Sequence, residues 1–102
     1  MERTRLKPDE LAAGLAELDA SWSGTVESLS RTVKFPSFLT AVEFISLLAP
    51  VAERLDHHPD IRLSWRTVEL TLSTHSSGGV TAYDLALAAE LDPIIEQLTG
   101  AA

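Results

Sequence analysis

The fold is decided by residues 55–84, which read LDHHPDIRLSWRTVELTLSTHSSGGVTAYD. Pro59 disfavours helical geometry in the residue before it, so a helix that enters this stretch should end at the histidine pair. Residues 61–75 are rich in Val, Leu, Thr and Trp and alternate with period two. This pattern predicts two strands that meet near Arg66. A turn at the two glycines should follow, because glycine is the strongest turn former.

The start of another helix is marked by Thr81-Ala82-Tyr83-Asp84, which has capping-box spacing with aspartate in place of glutamate. Apolar residues then recur with helical spacing at Leu85, Ala88 and Leu91. We expect Asp92-Pro93 to interrupt or restart this helix and Gly100 to end it.

The main core helix is predicted upstream of the histidine pair. Ser37 is a suitable N-cap. Pro50 lies inside the helix and removes one backbone donor, at roughly 3 kcal/mol in a helix interior, which predicts a kink. The apolar positions recur every three or four residues, at Ala41, Phe44, Ile45, Leu48, Val51, Ala52 and Leu55.

The N-terminal third adds one helix and two strands. Pro8 suits a first helical position, and the apolar face of that helix comprises Leu11, Leu15 and Leu18. Residues 29–35 alternate with period two and predict a strand, for which residues 22–27 should supply the partner.

The predicted element order is therefore α-β-β-α-β-β-α in a single domain, residues 1–102. Antiparallel strands joined by hairpins and covered by helices on one face form an α+β domain. The other side of the sheet stays free and invites self-association.

Composition excludes several classes of partner and site. The formal charge is −7, which argues against nucleic acid and anionic membranes because those partners are bound through excess Lys and Arg. No apolar run is long enough to span a bilayer, and no cysteine is present for disulfides or thiol chemistry. We expect a cytoplasmic protein whose partner is a small molecule or another protein.

Three histidines, His57, His58 and His75, carry the densest chemistry. A zinc site is disfavoured, because zinc motifs on helices space their histidines by one turn. Acid/base catalysis without a metal fits better, since one imidazole can remove a proton while another donates one. Nearby carboxylates could orient the rings, namely Asp56, Glu53 and Asp84.

Structural alternatives exist for each of these residues. The histidine pair could cap the C-terminus of a helix, where the helix dipole favours imidazolium. Asp84 could serve only as a capping residue. Glu53 could lie on a solvated helix face, and Ser73 and Thr74 could be ordinary strand residues.

The combined motifs resemble the pterin-4a-carbinolamine dehydratase family. The resemblance rests on His57-His58-Pro59, Thr74-His75 and residues 78–84, Gly-Gly-Val-Thr-Ala-Tyr-Asp. It extends through Trp22, residues 35–38 and residues 52–56, and so covers most of the chain.

The resemblance implies a four-stranded antiparallel sheet with helices on one face, assembled as homodimers or homotetramers. It also implies dehydration of 4a-hydroxytetrahydrobiopterin, or a related pterin, to the quinonoid dihydropterin during tetrahydropterin recycling. The histidines would share the acid and base roles, and no metal or bound cofactor is implied. The residues implied around the pterin are Glu53, Asp56, Pro59, Ser73, Thr74, Ser76 and Asp84.

The chain departs from the family pattern at four positions. Family members often have an aromatic residue where this chain has Ile61, and a basic residue where it has Tyr83. Pro50 and Pro93 are also unusual and affect helices through which family dimers associate.

Domains resembling this one also act without the enzyme reaction. They serve as dimerisation cofactors of a homeodomain transcription factor or as assembly factors, for which the exposed sheet would be used in β-augmentation or helix packing. A pterin-binding protein of molybdopterin metabolism is a third possibility, because the shared ring demands similar contacts.

Overall fold

The computed structural model describes residues 1–100 and has the predicted α+β architecture with the order α-β-β-α-β-β-α. The single-domain prediction covers two further residues, which lie outside the described range. The elements are α1 Pro8–Ala16, β1 Ser23–Gly24, β2 Leu29–Lys34, α2 Phe38–Leu55, β3 Asp60–Ser64, β4 Thr67–Leu72 and α3 Ala82–Thr99.

The four strands form one antiparallel sheet in the order β1-β2-β4-β3. The central pair, β2 and β4, runs in register from Leu29 opposite Leu72 to Lys34 opposite Thr67. β3 and β4 form a hairpin whose turn includes Arg66, as predicted. The partner strand expected within residues 22–27 is confirmed but short, since only Ser23–Gly24 pair with β2.

Alternation along the strands creates one core face. Every second residue of β2 is buried while Ser30, Thr32 and Lys34 are exposed. The helices cover the buried face, so the apolar core lies between sheet and helices. Its fully buried members include Leu29, Phe35, Ala41, Phe44, Val68, Leu70, Leu72, Val80, Leu87, Ala88 and Leu91.

The helix caps were predicted from the sequence and are confirmed. The Ser37 hydroxyl accepts a hydrogen bond from the Thr40 amide at the start of α2. Thr81 is the N-cap of α3 and forms the capping box with Asp84. α3 ends at Gly100, whose φ of 73° is the left-handed conformation that glycine adopts without strain.

The interruption expected at Asp92-Pro93 is wrong, because α3 is continuous through Pro93. Proline removes the bond to the carbonyl four residues earlier, which belongs to Ala89. Both Ala89 and Pro93 are exposed, so solvent can satisfy that carbonyl. α2 is likewise continuous through the exposed Pro50, and the kink expected there stays a prediction.

A partly buried ionic network ties α3 to the sheet on the side of Asp92. The Asp92 carboxylate accepts hydrogen bonds from the Trp22 indole at 2.6 Å, from the Arg31 guanidinium at 2.6 Å and from the Asp19 amide at 2.9 Å. Arg31 lies on the core face of β2, and this charged residue is only 8% exposed. These bonds hold the segment that leads from α1 into β1 against α3, which supports helical geometry at the residue before Pro93.

Within residues 1–100, no helix combines the length and the apolarity needed to cross a membrane.

Candidate functional site

The two adjacent histidines lie at the end of α2, and their side chains are in different environments. Asp56 has φ 49° and ψ 47°, the left-handed conformation that terminates a helix. The amide of His57 closes the turn by donating to the Ala52 carbonyl at 3.0 Å. Beyond this reversal the His57 side chain is 6% exposed, whereas the His58 side chain is 56% exposed.

The segment after β4 supplies the third histidine. Thr74 lies beyond the strand and pairs with Gly79, whose carbonyl accepts from the Thr74 amide at 2.9 Å. The bridge closes a short 3₁₀ turn, His75–Ser77, in which His75 is exposed. Gly79 is required here, because a Cβ at this position would collide with the carbonyl oxygen of Val26.

Asp84 joins these two segments from the first turn of α3 and is fully buried. Its Oδ2 accepts from the Thr81 amide and from the Thr74 hydroxyl, each at 2.9 Å. Its Oδ1 lies 2.5 Å from Nε2 of His57. The capping role and the contact with a histidine therefore coexist in one carboxylate, one oxygen for each.

His57 has a partner at both ring nitrogens. Nη1 of Arg3 lies 3.4 Å from Nδ1. Because a guanidinium only donates hydrogen bonds, Nδ1 must accept and Nε2 must carry the proton that it donates to Asp84. We therefore assign the ring proton to Nε2, where it faces Asp84.

One pocket of about 280 Å³ brings the three histidines together. Its size is at the lower end of ordinary small-molecule sites. The lining residues are Arg3, Asp56, His57, His58, Ser73, Thr74, His75 and Ser76.

Three of the predicted site residues do not line this pocket. Asp84 lies behind the lining and contacts two of its members, the His57 ring and the Thr74 hydroxyl. Glu53 is exposed, with a carboxylate oxygen 3.6 Å from Nε2 of His58. Pro59 follows the histidine pair and is half-buried.

One lining residue, Arg3, was missed by the sequence interpretation. Arg3 comes from the N-terminal segment and stacks on the Tyr83 ring, 4.2 Å from its centroid. The Tyr83 and His57 rings are 5.7 Å apart. Neither periodicity nor a local motif marks Arg3, since its contacts are more than 50 residues away along the chain.

The pocket can exchange protons with a small polar ligand. His58 and His75 present exposed imidazoles, a group that can serve as a general acid or base, and His57 is held by a buried carboxylate. A second hollow, of about 290 Å³, lies against β3 and β4 but contains no histidine. Among residues 1–100, no cluster of three or more His, Asp or Glu side chains is arranged to hold a metal ion.

Comparison with known proteins gives a consistent assignment. Residues 4–94 match the model of the family described as pterin 4 alpha carbinolamine dehydratase. A relative from Mycobacterium sp. (strain KMS), provisionally named as a pterin-4-alpha-carbinolamine dehydratase, is 46% identical over 92 residues, 90% of this chain and 97% of the relative. A Nocardia farcinica relative with the same provisional name is 43% identical, over 87% of this chain and 93% of its own.

Solved structures agree on the fold. A crystal structure from Brucella melitensis, described as a transcriptional coactivator/pterin dehydratase, superposes with a TM-score of 0.85 at 37% identity. The match covers 90% of this chain and 99% of that one. A pterin dehydratase-like RuBisCO assembly factor of the alpha-carboxysome shares the fold with a TM-score of 0.60 at 24% identity, over 72% of this chain and 86% of that one. The motifs, the fold and these matches place the chain in the pterin-4a-carbinolamine dehydratase family.

Proposed function

We propose that this chain is a 4a-hydroxytetrahydrobiopterin dehydratase, a hydro-lyase that forms quinonoid dihydropterin during tetrahydropterin recycling in the cytoplasm. The observation that carries the proposal is the convergence of His57, His58 and His75 on one pocket, with His57 backed by buried Asp84. Family membership supports the same substrate class.

The reaction needs two proton transfers and no redox step. The C4a–O bond breaks, and the hydroxyl group takes up a proton and leaves as water. N5 loses its proton as the C4a–N5 double bond forms. A general acid and a general base placed on one small pocket supply both transfers.

The exposed pair His58 and His75 is suited to these transfers, because neither imidazole is enclosed by the protein. Both ring nitrogens of His57 are engaged by Arg3 and Asp84, so we assign His57 a positioning role in the pocket wall, with its ring fixed by Asp84. Ser73 and Ser76 add hydroxyl groups to the polar lining of the pocket.

Stopped-flow dehydration of 4a-hydroxytetrahydropterin tests this function against a buffer blank, because the uncatalysed reaction also proceeds. Alanine at His58 or His75 should lower kcat by about 10²–10⁴-fold, the range for loss of a general acid or base. Alanine at His57 should also lower kcat, because the ring that Asp84 fixes in the pocket wall is lost. Asp60→Ala is the matched control, since Asp60 follows the motif but does not line the pocket. Circular dichroism checks the fold of each variant. A wild-type rate equal to the blank would overturn the proposal.

A second function, as a non-enzymatic dimerisation or assembly cofactor, is favoured by the exposed apolar surface of α2. Phe38 is 49% exposed and Leu39 is 78% exposed, with Val42 and Leu47 also accessible. The Brucella melitensis relative is described both as a coactivator and as a dehydratase. A folded chain that gives no acceleration over the blank would favour this function.

A further inference from the structure

Arg3 is the only Lys or Arg side chain in residues 1–100 that lines the histidine pocket. Its Nη2 donates to the Asp56 carbonyl at 2.8 Å, and its Nη1 donates to Nδ1 of His57. The guanidinium also lies over the Tyr83 ring. The chain as a whole carries a charge of −7, so a cation at this pocket does not follow from a surplus of positive charge.

The N-terminal segment that carries Arg3 is anchored along its length. The Leu6 amide donates to the Val80 carbonyl at 2.8 Å, and the Ser77 hydroxyl donates to the carbonyl of Arg3 itself. The Tyr83 hydroxyl donates to the Met1 carbonyl at 3.3 Å. Arg3 is therefore held at its backbone and at its guanidinium, so little ordering is left for a ligand to impose.

The guanidinium retains unused donors. It has five N–H groups in a planar fork, and the two hydrogen bonds to Asp56 and His57 use two of them. The Arg3 side chain is 38% exposed and lines the pocket, so it is not sealed off from a ligand there. Such a fork matches two acceptor atoms that lie in one plane.

We propose that Arg3 is a substrate-orienting residue, whose guanidinium donates to acceptor atoms on the edge of the pterin ring. This inference rests on the proposed function. A pterin offers a ring carbonyl oxygen whose two lone pairs lie close to the plane of its pyrimidine ring, and a planar fork of N–H donors can approach that oxygen in the same plane. The stacked Tyr83 ring and the Asp56 carbonyl set the plane in which that fork lies.

Binding of oxidised biopterin, followed by its fluorescence, tests the proposal without catalysis. Arg3→Ala should raise Kd by about 10–100-fold, the loss expected for hydrogen bonds to a charged group. Arg3→Lys should recover little, because an ammonium is neither planar nor forked. Arg5→Ala is the matched control, since it removes the same charge from the same segment outside the pocket.

Steady-state kinetics separate binding from a structural effect. Arg3→Ala should raise KM by the same factor as Kd while kcat changes by less than about threefold, the signature of lost uniform binding. Tyr83→Leu removes the ring under the guanidinium and should raise Kd in the same direction by a smaller factor. Thermal unfolding of each variant checks that the fold is retained.

The other outcomes distinguish a failure of the role of Arg3 from a failure of the proposed function. Equal Kd values for wild type and Arg3→Ala would overturn the role of Arg3 and leave the proposed function standing. Equal increases in Kd for Arg3→Ala and Arg5→Ala would show that binding depends on the charge of the segment in general. This result would also overturn the role of Arg3. A wild-type protein that binds no pterin would overturn the proposed function together with this inference.

Discussion

The two oxygens of the Asp84 carboxylate have separate tasks, one at the helix cap and one at His57. Asp84→Asn keeps one oxygen for the cap but turns an amide N–H₂ toward the N–H of the histidine. The ring can then accept only by adopting the other tautomer, which would point Nδ1–H at the donors of Arg3.

We expect Asp84→Asn to lower kcat by about 10²-fold or more, because the orientation and tautomer of His57 are lost. The free energy of unfolding should fall by about 1–3 kcal/mol, the cost of a disrupted buried hydrogen bond. Stopped-flow rates and urea unfolding measure the two effects. An unchanged dehydration rate with reduced stability would show that Asp84 acts only as a capping residue.

Much of the pocket could be predicted from the sequence because it is contributed by two short contiguous segments. The motif residues at 56–58 and 73–76 line it together, and their residue types alone indicated proton transfer. Arg3 could not be predicted in this way. Its position depends on a stack against Tyr83 and on tertiary hydrogen bonds that leave no periodic signal.

At the scale of elements, α3 shows how a tertiary network overrides a local signal. Proline predicted a break in the helix, yet Asp92 is fixed by bonds from Trp22, Arg31 and Asp19. Caps and strand alternation were predicted correctly because they act over three or four residues. The network joins three distant segments, so residue spacing within any one of them could not reveal it.

Pro93→Ala should stabilise the protein. The substitution restores an amide to α3 and removes the clash of the proline ring, at a site where the neighbouring carbonyl is exposed. We expect a gain of about 1–3 kcal/mol in the free energy of unfolding, measured by urea denaturation. A loss of stability would mean that proline stabilises the protein more, by lowering the conformational entropy of the unfolded chain, than it destabilises the helix.

Asp19 should make the stability of this network depend on pH. Hydrogen bonds from the backbone and side chain of Ser21, and then the charge of Arg31, hold the pKa of Asp19 below its ordinary value of 3.8. A group with a lowered folded pKa stabilises the protein above its unfolded pKa, and this contribution is lost as pH falls through the folded pKa.

Thermal unfolding of Asp19→Asn between pH 7 and pH 2.5 tests this dependence. Wild type should have the higher Tm above about pH 5, and the difference should shrink below about pH 4 as the carboxyl group takes up a proton. A Tm difference that is the same at every pH would assign the effect of the substitution to packing.

At the scale of the whole molecule, a charge of −7 coexists with apolar side chains exposed on α2. Leu39 is 78% exposed, and Phe38, Val42 and Leu47 are accessible on the same helix. Apolar surface of this kind marks interfaces in soluble proteins. It supports the homodimer or homotetramer implied by the family resemblance.

We expect the native mass from light scattering to be a multiple of the chain mass of 11.0 kDa. Leu39→Glu should shift the protein toward the monomer, because it places a charge in the interface. Glu43→Gln, a change on the same helix that adds no charge, is the comparison variant. A monomeric wild type at micromolar concentration would contradict the prediction.

The hydrogen bond from the Thr81 amide to Asp84 has a consequence for how the pocket can be observed. That amide exchanges with solvent only when the first turn of α3 opens, and opening also frees the Asp84 carboxylate, whose other oxygen holds His57. The exchange rate of the Thr81 amide therefore reports, without any substrate, whether Asp84 is in place to hold His57. Any ligand that tightens His57 against Asp84 should slow deuterium uptake at Thr81, so binding becomes visible at a position the ligand never touches.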